Sequence, residues 1–172
     1  MKSVLFCIIC GLYATFGNAQ DFPAAFIGNW KGELLWYKTG NATPQKVPMR
    51  LRIQSTDTAG QYTWQIIYGE NGSDNRPYLL KPVDTAKGHW VIDERNGIRL
   101  DQYWVGNRFT SAFTVQTTTI LDSYWREGET LIAEFHSLSA KPVNTSGAGT
   151  KDSPTVASYA AKGYQRAVLW RE

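Results

Sequence analysis

The sequence predicts an all-β protein folded as a closed antiparallel up-and-down barrel of about 8–10 strands. Apolar and polar residues alternate with a period of two along most of its 172 residues. Breaks rich in Gly, Asn, Ser and Thr separate the alternating segments at the spacing typical of sandwiches and barrels. Helical periodicity is absent apart from one turn near residues 23–26. Closure is expected because an aromatic-rich sheet would otherwise expose its edges.

The first predicted strand begins at Gly28 and places Trp30, Leu34 and Trp36 on one face. Segments 46–53 and 62–68 alternate in the same way, and the Asn-Gly pair at 71–72 then predicts a hairpin because both residues tolerate positive φ. Short connections favour pairing between neighbours in sequence. The remaining strands are predicted in PYLLKPV, HWVIDE, IRLDQYWV, RFTSAFTVQ, ILDSYWRE, LIAEFHSLS and GYQRAVLWR.

Residues 1–19 are predicted to be a secretory signal peptide. Lys2 precedes an apolar stretch too short to span a membrane, and small residues at 17 and 19 precede the expected cut. The mature chain is then one domain, residues 20–172, exported to the periplasm or secreted. Both cysteines lie in the leader, so the mature domain must depend on its core rather than on disulfides. Segment 140–158, rich in Gly, Ser, Thr and Pro, is predicted to be a flexible loop before the last strand.

Charge gives little support for a nucleic-acid partner. Removing Lys2 from the 18 basic residues leaves 17 against 15 acidic residues, a net charge of +2, and the charges are interspersed. The mature chain has no cysteine, no Gly-x-Ser-x-Gly motif and two histidines, so we predict no catalytic residues, no cofactor and no metal site.

Two histidine–carboxylate pairs are candidate metal ligands by residue type. His136 shares a strand face with Glu134, and His89 shares one with Asp93, but such pairs are interpreted as solvated surface pairs. The acidic residues at 93, 94 and 101 flank an Asn-Gly turn and are interpreted as a charged hairpin rather than as the carboxylate pair of a glycosidase.

The stretch AAFIGNWKGEL resembles the start of calycin barrels, the lipocalins and fatty-acid-binding proteins. There, a short turn leads into a Gly-x-Trp on the first strand, and Phe26, Gly28 and Trp30 occupy the matching positions. The resemblance implies that Trp30 closes one barrel end and that an arginine of the last strand packs across its ring. Arg166 is the first candidate and Arg171 the second. The chain departs from the lipocalin pattern because it has no Thr-Asp-Tyr-like loop and no disulfide.

A barrel with this many strands can enclose a cavity, and seven tryptophans and nine tyrosines predict an aromatic lining with a few polar groups. The likeness to fatty-acid-binding proteins adds that Tyr164 and Arg166 could hold a ligand carboxylate, although the order is reversed from the family's Arg-x-Tyr. The candidate ligand-binding residues are Trp36, Tyr62, Trp64, Tyr68, Gln102, Trp104, Ser111, Phe113, Tyr164 and Arg166.

Three functional classes follow from the sequence. The first is an exported lipocalin-like binding protein that carries or sequesters a small, mostly hydrophobic ligand, with a carboxylate if the Tyr164–Arg166 pair anchors it. The second is a structural or interaction barrel with a solid core. The third, ranked last, is an enzyme with a cavity-bound substrate. The sequence leaves open the ligand, the oligomeric state, and whether the barrel is hollow.

Overall fold

The computed structural model describes residues 22–172, so the predicted signal peptide lies outside the described residues. Ten long strands and two short ones follow a 3-10 helix, Ala24–Phe26, and a second 3-10 helix, Thr85–Lys87, interrupts them. The strands are β1 Gly28–Lys38, β2 Gln45–Ile53, β3 Tyr62–Tyr68, β4 Asp74–Asp84, β5 His89–Asp93, β6 Arg99–Val105, β7 Arg108–Val115, β8 Thr118–Glu127, β9 Thr130–Ser139, β10 Asn144–Ser146, β11 Val156–Ser158 and β12 Ala161–Arg171.

The long strands close into one antiparallel barrel in which β1 to β9 pair in chain order. The last strand, β12, lies between β9 and β1 and completes the ring. Pairing between sequence neighbours is what short connections favour, and closure leaves no unpaired edge in the sheet. The predicted all-β, up-and-down barrel is therefore confirmed.

The segment between β9 and β12 departs from the structureless loop expected for residues 140–158. Its strands β10 and β11 pair antiparallel as a separate two-stranded sheet. The side chains of both strands are exposed, so backbone pairing rather than burial forms this hairpin. Low hydrophobicity therefore indicated solvent exposure correctly but not the absence of strands. The mobility of the segment remains a prediction.

One end of the barrel, here called the closed end, is filled by aromatic side chains around Trp30. Trp30 is fully buried, and its indole N–H donates to the Phe26 carbonyl at 2.8 Å. The chain before β1 enters the barrel here, since the Phe22 ring stacks on Phe109 and Trp104 with ring centres 4.3 and 5.0 Å apart. Trp30 is thus buried at one end of the barrel, as the sequence predicted, and the short turn before Gly28 helps to fill that end.

Two guanidinium groups cover the Trp30 ring, and neither belongs to Arg166. Arg171 lies 4.7 Å and Arg126 4.8 Å from the ring centre. The prediction that Arg166 closes the barrel is wrong, and the second candidate, Arg171, takes that place. The reason is register: Trp30 pairs with Arg171, and directly paired residues of antiparallel strands share a face. Gly28 permits the contact, because a Cβ there would lie 3.3 Å from the Arg171 guanidinium.

Arg126 also joins two backbone segments at the closed end. Its guanidinium donates to the carbonyl oxygens of Ala25 and Gly128, each at 2.7 Å, and to that of Thr130 at 3.1 Å. The planar fork of an arginine suits such divided donation while its face stacks on an aromatic ring. Arg126 therefore links the entry turn, the β8–β9 turn and the Trp30 ring.

Candidate functional site

A cavity of about 360 Å³ occupies the opposite, open end of the barrel. On β1 the cavity is lined by Leu34 and Trp36. Trp36 lies six residues beyond Trp30, which corresponds to about 20 Å along the strand at the usual rise per residue. The interior is therefore neither wholly solid nor wholly hollow. The lining residues are Leu34, Trp36, Val47, Ile66, Tyr68, Asp74, Arg76, Tyr78, Ile92, Glu94, Leu100, Phe113, Ile120, Asp122, Tyr124, Phe135, Ser137 and Gln165.

Three of the ten predicted ligand-binding residues, Trp36, Tyr68 and Phe113, line this cavity. Three other aromatic candidates pack in or against the core instead. Trp64 is fully buried between Phe109 and Tyr124, Trp104 contacts Phe22 near the closed end, and Tyr62 lies near Trp90. The predicted inward phase of these strands is right. The position of each inward residue along the barrel axis determines whether it lines the cavity or packs in the core.

Tyr164 and Arg166 do not reach the cavity, so the predicted carboxylate anchor is wrong. The Tyr164 hydroxyl donates to Glu134 Oε2 at 2.9 Å, and its ring lies 5.0 Å from that of exposed His136. Arg166 lies 3.8 Å from the exposed Glu127 carboxylate. On β12 the inward face carries residues 165, 167 and 169 instead, because the pairing of Trp30 with Arg171 puts the odd positions inside.

A buried polar group, here called the polar floor, consists of Asp122, Ser111 and Gln102. Asp122 lines the cavity but is only 4% exposed, and its Oδ1 accepts from the Ser111 amide at 2.9 Å and the Ser111 hydroxyl at 2.6 Å. Its Oδ2 accepts from Gln102 Nε2 at 3.4 Å. Burial raises the pKa of Asp122, and these hydrogen bonds oppose that rise. The predicted candidates Gln102 and Ser111 thus act through Asp122.

Gln102 leaves one acceptor of the polar floor unused. Its side chain is fully buried, and Oε1 has no hydrogen-bond partner among residues 22–172. A buried amide oxygen without a partner loses its hydration without compensation. Together with the long bond to Asp122 Oδ2, this leaves the floor with acceptor capacity to spare.

The rim of the cavity carries a second set of polar groups. Arg76 binds both carboxylate oxygens of Asp74, at 2.9 and 2.6 Å, and its guanidinium lies 5.0 Å from the centre of the Tyr68 ring. Hydrogen bonding to Arg76 holds the pKa of Asp74 below its usual value. Asp74 and Arg76 are both exposed, so this pair marks where the cavity meets solvent. Glu94 adds another carboxylate to the lining.

The tyrosines of the cavity are held in their protonated form. Burial raises the pKa of Tyr68 to about 12. It also raises the pKa of Tyr124, with a contribution from Asp122, and that of Tyr78, with a contribution from Glu94. Each hydroxyl is therefore a neutral group at physiological pH, with an aromatic ring and a polar tip available to a bound molecule.

A second, more open cavity of about 390 Å³ adjoins the first and shares Trp36, Ser137 and Gln165 with it. Lys38 and Lys162 line it. The Lys38 ammonium lies 5.0 Å from the Trp36 ring centre, and Lys162 donates to the Thr117 carbonyl at 2.7 Å. We call these two exposed lysines the lysine rim. The mouth thus has the Asp74–Arg76 pair on β4, Glu94 just after β5, and lysines on β1 and β12.

The histidine pairs lie outside the cavity. His136 Nε2 is 3.3 Å from Glu134, a surface pair as interpreted from the sequence. His89 bonds Asp101 at 2.8 Å rather than Asp93, whose carboxylate instead accepts from Lys81 at 2.7 Å. Within residues 22–172, no three His, Cys, Asp or Glu side chains converge as a metal site would require. Among these same residues, no helix has the length and apolar character needed to cross a membrane.

Sequence reasoning missed the charged lining, Asp74, Arg76, Glu94 and Asp122. The hairpin predicted at residues 71–72 and the next strand predicted from residue 77 leave Asp74 and Arg76 outside any predicted strand, although β4 begins at Asp74. Asp122 did carry a signal. It lies between Ile120 and Tyr124 on one face of the strand, where a carboxylate among apolar side chains needs a reason to be present.

Comparison with known proteins supports the fold and goes no further. No protein-family model and no curated protein matches this sequence. Among solved structures, the chain is similar to a protein of unknown function of the DUF3598 family from Nostoc punctiforme, with a TM-score of 0.59 and 14% identity. The match covers 85% of this chain and 47% of that one, so this chain spans about half the length of its structural neighbour. The fold is therefore that of an antiparallel β-barrel compatible with the calycin-like expectation.

Proposed function

We propose that this protein is an exported, calycin-like binding barrel that carries or sequesters a small, mostly apolar molecule in the cavity at its open end. The observation that carries the proposal is the division of the interior. The closed end is packed around Trp30, whereas the open end leaves about 360 Å³ lined mainly by aromatic and aliphatic side chains. Concave, largely apolar sites with a few placed polar groups are typical of small-molecule binding.

Two further features support the proposal. Asp122 of the polar floor lines the cavity and would fix the orientation of a bound molecule, and the predicted signal peptide favours an extracytoplasmic location. Against a structural barrel with a solid core, the aromatic residues that could have filled the lumen, such as Trp36 and Phe113, line its wall. Export is testable separately, by locating the protein in fractionated cells and sequencing its mature N-terminus.

Cavity-blocking variants test where binding occurs. Ile120 lines the cavity, whereas its neighbour Leu121 is 40% exposed on the outer face of β8. Ile120→Trp should abolish binding of an uncharged apolar fluorescent probe such as N-phenyl-1-naphthylamine, and Leu121→Trp should leave it unchanged. Mass spectrometry of molecules that co-purify with the native protein should recover a ligand from wild type and not from Ile120→Trp. Equal binding by both variants would refute a site in the cavity.

A further inference from the structure

We infer that the polar floor recognises a hydrogen-bond donor on the bound molecule, so that the barrel selects small apolar amines over carboxylates. This inference rests on the proposed function and deepens it by assigning the chemical class of the ligand. It reverses the carboxylate preference expected from Tyr164 and Arg166, which lie on the outer surface.

Geometry at the floor supports a donor. A carboxylate offers about four acceptor positions, and Asp122 accepts three hydrogen bonds from Ser111 and Gln102, one at the long distance of 3.4 Å. The adjacent Gln102 Oε1 is buried without a partner among the described residues. Ser111 already directs both its amide and its hydroxyl at Asp122. An incoming ammonium would donate to Asp122, the member of the polar floor that lines the cavity, whereas an incoming carboxylate would bring more acceptors.

The charge of the cavity lining also favours a ligand amine over a ligand carboxylate. Its ionisable acids and base are Asp74, Glu94, Asp122 and Arg76, so with all four ionised the net charge is 1 − 3 = −2. The only base among them is already bound to both oxygens of Asp74. A ligand carboxylate at the floor would lie next to Asp122 with no free cation beside it, and a buried, uncompensated charge is costly. A ligand ammonium would instead compensate the negative charge of Asp122.

The walls suit a cation as well. Tyr124, Tyr68 and Trp36 line the same cavity as Asp122. Aromatic faces attract ammonium groups, more strongly where water is excluded. The apolar remainder of the molecule would contact aliphatic lining residues such as Leu34 and Val47. An amine at the floor and an apolar body toward the mouth therefore match the distribution of groups along the cavity.

The lysine rim is the competing site for an anion. Lys38 and Lys162 line the adjoining cavity at the mouth, where an acid could bind with its apolar part inside the barrel. That arrangement would leave the unused acceptors of the polar floor unoccupied, which is why we favour the amine. The two arrangements differ in which variant weakens binding, Asp122→Asn for the amine and Lys38→Gln for the acid.

Three probes with one apolar body separate these outcomes: phenylbutylamine, phenylbutanol and phenylbutanoate. Their affinities for the wild-type protein at neutral pH can be measured by calorimetry and by tryptophan fluorescence. We expect the amine to bind about tenfold more tightly than the alcohol, the magnitude of one charge-assisted hydrogen bond, and the acid to bind most weakly. This ranking uses the wild-type protein alone and does not depend on the folding of any variant.

Asp122→Asn should remove the advantage of the amine, about a tenfold loss, while the affinity for the alcohol stays within about twofold. Asp57→Asn makes the same charge change at an exposed residue of the β2–β3 loop, beyond the closed-end terminus of β2, and should leave all three affinities unchanged. Binding of the alcohol as tightly as the amine would overturn the inference and leave the binding function standing. Tightest binding of the acid, lost in Lys38→Gln, would overturn it in favour of the lysine rim. Failure of all three probes to bind would overturn the inference together with the proposed function.

Discussion

Replacing Arg126 by alanine should destabilise the barrel by about 2–4 kcal/mol. The side chain lies over the Trp30 ring and donates to three carbonyl oxygens that close the barrel end. The contact with the ring contributes about 1 kcal/mol in a partly desolvated setting. Each charge-assisted hydrogen bond adds about 1.5 kcal/mol where water cannot replace it. The Gly128 carbonyl belongs to an exposed residue that water can reach, so we count only the other two.

Urea unfolding followed by tryptophan fluorescence measures this loss. With a slope of about 2 kcal/mol per M, the midpoint should fall by about 1–2 M with the slope unchanged. Arg171→Ala should cost less, about 1 kcal/mol, because it loses one face of the Trp30 contact but relieves repulsion between like charges. Burial and the Arg171 charge together lower the pKa of Arg126, in keeping with that repulsion.

The matched control is Arg166→Ala. Its exposed ion pair with Glu127, at 3.8 Å, should contribute less than about 0.5 kcal/mol. If Arg166→Ala lowered the midpoint as much as Arg126→Ala, the assignment of the closed end would be refuted. Arg126→Lys keeps the charge but loses the planar fork, and an intermediate midpoint is expected.

Three further outcomes are expected. Burial raises the pKa of Asp122, so the native state binds this proton more tightly than the unfolded state does, and its contribution to stability should fall as pH rises above the ordinary aspartate pKa. Asp122→Asn should remove that fall, which is measured as a difference between wild-type and variant urea curves recorded at increasing pH above that value. Gly32→Ala would place a Cβ 2.1 Å from the Val168 carbonyl oxygen and should lower the unfolding free energy by more than about 3 kcal/mol in the same titration; an unchanged midpoint would contradict the close approach of β1 and β12. Tyr164→Phe should leave the probe affinities measured by calorimetry unaltered, whereas Trp36→Leu should weaken them several-fold. The opposite result would place the binding site at the Tyr164–Arg166 pair on the outer surface.

The fold was predictable because each long strand carried its own pattern and its own stop signals. Alternation in β2 and β3 fixed their inward faces, and the glycine-containing breaks gave the connections. The last strand was harder. Its even positions, including Val168 and Trp170, are as apolar as its odd positions, including Ala167 and Leu169, so alternation alone could not decide its phase. Pairing decides it, because the residue opposite Trp30 must share the inward face.

The apolar half of the candidate site was predictable in the same way, and the charged half was not. Trp36, Tyr68 and Phe113 follow from strand phase. Asp74 belongs to a segment whose Asp, Asn and Pro residues are poor strand formers, yet pairing with β3 extends β4 through it. Which inward residues line a void and which pack depends on their height along the barrel axis. That height is set by the stagger of ten strands rather than by any local pattern.

The position of the closed end has a practical consequence for handling the protein. Phe22 is inserted beside Phe109 and Trp104, and the amide of Glu172 donates to the Asn29 carbonyl at 2.8 Å, so both ends of the described chain emerge beside Trp30. A tag, fluorophore or surface linker attached after Glu172 would therefore project from the base of the barrel. Molecules immobilised this way would stand with their mouths facing bulk solution, an orientation suited to sensor chips and to affinity capture of unknown ligands.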